Sequence, residues 1–148
     1  MRHLFAFLIL TLSLVSCAPR SLPEHLAISG AERFGPQQPY VVFMVPAEEQ
    51  REGDVFQADM GKPSGTRALT KRLANLFSRS ERNHVHVVVG GPSSDRTRRV
   101  VIDALRMNEG RTLGGLVILF VGVETDAEYV HAIANSMLAT VYFSPSAS

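Results

Sequence analysis

"HVHVVVGG", residues 84–91, decides the fold. Two polar histidines lead into a β-branched run that stops at Gly90-Gly91-Pro92. So short a run, bounded by glycine and proline, reads as a strand buried on both faces. Three further runs have the same character: "YVVFMV" at 40–45, stopped by Pro46, "GLVILFVG" at 115–122, and "VYF" at 141–143, stopped by Pro145.

Helical patterns separate the strands. Leu69, Leu73, Leu76 and Phe77 recur at i, i+4, i+7 and i+8. Val100, Val101, Ala104 and Leu105 form a second stripe, with Ser93 or Ser94 as N-cap and Gly110 just past the end. Thr125-Asp126-Ala127-Glu128 has the form of a capping box ahead of Val130, Ile133, Ala134 and Met137. Alternating strands and helices, with strands buried on both faces, predict an α/β fold. The expected architecture is a small, mostly parallel four-stranded sheet with helices on both faces, spanning residues 40–148. Residues 17–39 carry Pro19, Pro23, Gly30, Gly35, Pro36 and Pro39. They read as a tether with a helical turn around Glu24 to Ile28. The connection from 47 to 64, about 18 residues, exceeds the usual length between a strand and a helix, which marks it as functional or disordered.

The N-terminus is of another kind. Met1-Arg2-His3 is a short positive start, and Leu4 to Val15 is apolar apart from Thr11 and Ser13. About a dozen apolar residues suit a secretory signal peptide, whereas a spanning helix needs about twenty. The run ends in Leu14-Val15-Ser16-Cys17, which holds the only cysteine in the chain. This tetrad resembles the lipobox of bacterial lipoproteins: an aliphatic residue, a tolerant position, a small residue, then cysteine. The resemblance implies a signal peptide over 1–16, a diacylglyceryl group on the Cys17 thiol, and cleavage that leaves Cys17 as an acylated N-terminus. Three acyl chains would hold the protein to a bilayer where one chain holds only weakly. Ala18 follows the cysteine where aspartate would favour inner-membrane retention, so the outer membrane is the expected location. A lone exported cysteine leaves no internal disulfide.

The chain has 15 Lys+Arg against 14 Asp+Glu. Cleavage removes Arg2 alone and leaves 14 against 14. Neutrality offers no whole-surface attraction to nucleic acid, and no nucleic-acid partner is expected. The charges are segregated, however. Glu48, Glu49, Glu52, Asp54 and Asp59 face only Arg51 between 48 and 59. Arg67, Lys71, Arg72, Arg79 and Arg82 face only Glu81 between 67 and 82.

Ligands of open α/β sheets sit beyond the carboxyl ends of the strands. "GGPSSD", 90–95, lies at such an end. Gly91, Ser93 and Ser94 could cradle an anion with backbone N–H groups at a helix start. A turn followed by a helix cap explains the same residues without a ligand. Neither GxxxxGK[ST] nor GxGxxG is present. His84 and His86 have a spacing that can chelate a metal. Their position at the strand start, opposite the expected site, favours simple solvent-facing polar residues, and no metal is expected. No GxSxG occurs, and Glu48 and Glu49 lie in the long connection. The chain is read as non-catalytic and without a cofactor.

The lipobox, Ala18, the tether, the chain length and the alternating body together resemble the TrbH lipoproteins of plasmid conjugal transfer, in the mating-pair formation set of type IV secretion. That resemblance implies protein partners in an envelope secretion machine and carries over no functional residue except Cys17. A pilus-assembly lipoprotein is similar in plan. The remaining alternative is a periplasmic anion- or small-ligand-binding module, or an enzyme, with its site in the 90–95 loop.

Overall fold

The computed structural model describes residues 20–47 and 65–147. The expected signal peptide over 1–16, Cys17, Glu48, Glu49 and the rest of the acidic stretch lie outside the described residues. The elements run α1 (Leu22–Phe34), β1 (Val41–Met44), α2 (Thr66–Ser78), β2 (Val85–Gly90), α3 (Ser94–Arg106), β3 (Leu116–Gly122), α4 (Glu124–Asn135) and β4 (Thr140–Pro145). A 3-10 turn, Arg79–Glu81, follows α2. The strands form one sheet of order β1-β2-β3-β4 in which every neighbouring pair is parallel. The fold is α/β with helices on both faces.

Alternation along the central strands divides the core in two. Val87 and Val89 of β2, with Ile118 and Phe120 of β3, point into one cluster with α2, α3 and α4. Val88, Leu119 and Val121 point the other way, against Leu26 of α1. The 84–91 and 115–122 runs are therefore buried on both faces. The other two expected runs are not. β1 and β4 are edge strands, and Val41, Val42, Met44, Tyr142 and Phe143 are exposed. An outer strand has only one neighbour to hide its side chains, whatever its sequence.

Residues 22–34, expected within a tether, form α1 instead, and the folded body begins with this helix rather than at Tyr40. The residues that resemble breakers all have helical uses. Pro23 sits in the first turn, where it costs no hydrogen bond. Gly35 ends the helix at φ 74°, a left-handed value that glycine adopts without strain. Gly30 lets α1 approach the sheet, since a Cβ there would meet Tyr40 Cε2 at 2.5 Å and Val88 Cγ2 at 2.7 Å. The Tyr40 hydroxyl donates to the Ala27 carbonyl at 2.8 Å. Phe34 packs on Tyr40 and His86, and the Arg33 guanidinium lies 3.2 Å from the centre of the Tyr142 ring.

On the other face, α2 and α3 are joined through Asn108. Its buried amide donates to the carbonyls of Ala74 and Ala104, each at 3.0 Å. α4 opens at Glu124, not after Thr125, so the expected capping box does not form. It closes in an unusual way. Ala139 N–H reaches the Ala134 carbonyl and Leu138 N–H reaches Asn135, which is the Schellman pattern, yet its left-handed position (φ 62°) is a leucine.

Candidate functional site

The carboxyl ends of β2 and β3 are stitched to one another and to β1. Gly91 runs so close to β1 that a Cβ would lie 2.2 Å from the Val45 carbonyl oxygen. Val45 N–H in turn donates to Gly90 O at 2.8 Å. Ser93 is the N-cap of α3: its hydroxyl accepts from the Arg96 amide at 3.3 Å, while its carbonyl accepts from the buried Thr97 hydroxyl at 2.9 Å. Ser94 Oγ accepts from the Val123 amide at 2.8 Å. Gly122 makes room for this bond, because a Cβ there would sit 2.5 Å from Ser94 Oγ.

Charged groups continue the stitching outward. Asp95 pairs with Arg98 and, at 2.6 Å, with Arg99. Arg98 Nε lies 3.3 Å from Asp126 of α4, and its guanidinium carbon is 5.2 Å from the Tyr129 ring centre. Arg96 donates to the Thr66 hydroxyl at 2.9 Å, tying α3 to the start of α2. Each of the three candidate anion ligands thus has a role within the chain: close backbone approach for Gly91, capping for Ser93, and a cross-loop bond for Ser94. The described strands also follow chain order without reversal. The crevice that binds ligands in doubly wound sheets arises where that order reverses.

The histidines do not converge. His86 packs its ring 4.9 Å from Phe34 on the α1 face, whereas His131 belongs to α4 on the opposite face. Among the described residues, no group of three His, Cys, Asp or Glu side chains is placed to hold a metal ion. No helix among them is long and apolar enough to cross a membrane.

The described residues also form two open surface clefts. One, of about 610 Å³, runs between α2 and α3 and is lined by Thr66, Arg67, Thr70, Lys71, Asp103 and Met107. Here the basic residues singled out from sequence meet an exposed Met107 from the next helix. Arg67 and Lys71 are four residues apart and so share a side of α2. The second cleft, of about 250 Å³, follows the β4 edge beneath α4, with Glu124, Glu128 and His131 over Val141, Tyr142 and Phe143. Sequence reasoning missed it, because it depends on β4 being an outer strand. No family model, curated protein or solved structure matches this chain.

Proposed function

We propose that this protein is a lipid-anchored, non-catalytic component of an envelope assembly, held to the outer membrane through acylated Cys17 and working by docking to other proteins. The observation that carries the reading is Leu14-Val15-Ser16-Cys17, an oily run ending in the chain's single cysteine. The polar groups of the 90–95 loop support it, since their hydrogen bonds are spent inside the fold. What faces outward is the basic cleft of Arg67 and Lys71, a surface suited to steering an acidic protein partner. Within this reading the machine is a plasmid conjugal-transfer system of the type IV secretion kind, and a pilus-assembly complex is its near relative.

Complementing a gene deletion in a mating or pilus-formation assay tests the proposal. Arg67→Glu with Lys71→Glu should leave the protein folded and impair the process, because exposed charges contribute little to stability. Cys17→Ser should impair it by releasing the protein from its membrane. Ser93→Ala, His84→Ala and His86→Ala should complement near normally. Loss of the process in a folded, lipidated Ser93→Ala or His86→Ala protein would instead mark a ligand site or an enzyme.

A further inference from the structure

Among the described residues the sheet is open on both sides. Among the described residues β1 pairs only with β2 and β4 only with β3, so each offers an outer row of backbone donors and acceptors. Native proteins blunt such edges with lysine, inward charges, bulges or a proline within the strand. Among the described residues neither edge strand carries a charged side chain or a bulge, and the one proline is the last residue of β4. β1 reads VVFM, and β4 reads TVYFSP with its proline at the last position. Met44 is 45% exposed and Phe143 is 40% exposed, so each edge also presents apolar surface.

The flanking helices carry opposite charge. α2, α3 and α4 lie side by side in that order over one face, which makes α2 and α4 the outer pair. α2 has no acidic residue. Its Leu69, Arg72 and Leu76 recur at i, i+3 and i+7 and share a stripe, where Arg72 is exposed and both leucines are only partly buried. α4 begins with an acidic turn, and Glu124 and Glu128 stand one helical turn apart above Val141 and Phe143.

Topology lets the two ends meet. Inside the chain, β1, β2 and β3 are each followed by a helix on the same face and then by a parallel strand alongside. Placing β1 of a second copy beside β4, parallel to it, extends the sheet between molecules and keeps α4 and the second copy's α2 on the same face, at either side of the new seam. Basic Arg72 then faces acidic Glu124 and Glu128 across the seam, and two partly apolar edges cover each other.

We propose that the protein assembles head to tail with copies of itself, β4 of one copy pairing with β1 of the next while Glu124 and Glu128 face Arg72. Such a contact joins two different surfaces, so it propagates into a ring or a filament instead of stopping at a dimer. A lipid-anchored scaffold built this way would present the α2–α3 cleft in a repeating array.

Crosslinking in the native membrane tests the proposal on the full, lipidated chain. Val42 and Tyr142 belong to one row across the sheet, through Val88 and Leu119. Three strand spacings separate them within a copy, about 14 Å, which a short bis-maleimide does not bridge. Val42→Cys with Tyr142→Cys should give a ladder of dimers, trimers and larger species, while either single variant stays monomeric. Glu124→Lys with Glu128→Lys should abolish the ladder, and adding Arg72→Glu should restore it. A dimer from a single variant, no ladder from the double variant, or a ladder indifferent to both charge reversals overturns the proposal. A free Cys17 thiol would crosslink by itself, so a dimer already present in the unsubstituted chain marks failure of the acylation reading and not of head-to-tail pairing.

Discussion

Ser94 Oγ accepts a hydrogen bond from the Val123 amide at 2.8 Å, joining the loop after β2 to the first turn of α4. A hydroxyl placed at a helix start to receive an anion would have its oxygen turned to solvent or ligand. This one instead serves a backbone N–H that the α4 helix leaves without an internal partner.

Ser94→Ala should therefore lower stability by about 1 kcal/mol, the usual worth of one such bond. Denaturant unfolding checks the figure. In a thermal-shift series, phosphate should protect the wild type and Ser94→Ala equally and no more than chloride at the same ionic strength. Phosphate-specific protection lost in the variant would return the 90–95 loop to the status of an anion site.

Gly91 and Gly114 make a matched pair. A Cβ at Gly91 would strike the Val45 backbone oxygen at 2.2 Å, whereas one at Gly114 would meet nothing within 4 Å. Gly91→Ala should cost about 1–3 kcal/mol or more, as overpacking a rigid site does. Gly114→Ala should be near neutral. Equal midpoints in chemical denaturation would mean that β1 does not approach the loop this closely.

Leu138 occupies the left-handed position of the Schellman motif after α4 and is exposed. A left-handed conformation costs an ordinary residue roughly 1–2 kcal/mol, and glycine's extra chain entropy offsets only part of that relief. Leu138→Gly should raise stability by about 0.5–1 kcal/mol. A calorimetric Tm unchanged or lowered by this substitution contradicts the assigned turn.

What the sequence made legible follows from how local each feature is. Val87 to Val89 and Ile118 to Val121 read correctly as doubly buried, because a β-branched run between glycines has few other uses. A serine cap at 93 or 94 was also legible, since it acts within four residues, and the structure assigns it to Ser93. Of α1 only the turn from Glu24 to Ile28 was legible: Pro23, Gly30 and Gly35 look like breakers singly, and the use of Gly30 rests on Tyr40 and Val88. Nor was the start of α4, where the Val123 amide is served from 29 residues away by Ser94, leaving Thr125 inside the helix. The exposure of β1 and β4 depends on strand order, which apolar runs alone do not encode. The basic character of α2 was plain in sequence, but its meeting with Asp103 and Met107 in a cleft required the packing of α2 on α3.

In the proposed function Cys17 carries lipid and the folded domain serves from that anchor. Metabolic labelling with palmitate tests it most directly, read on the wild type and on Cys17→Ser in the same membranes. Label is expected on the wild type alone, with Cys17→Ser accumulating as an uncleaved precursor, because lipoprotein processing waits for the thioether. Label of equal strength on Cys17→Ser, or an unlabelled wild type released as free mature protein, would contradict it.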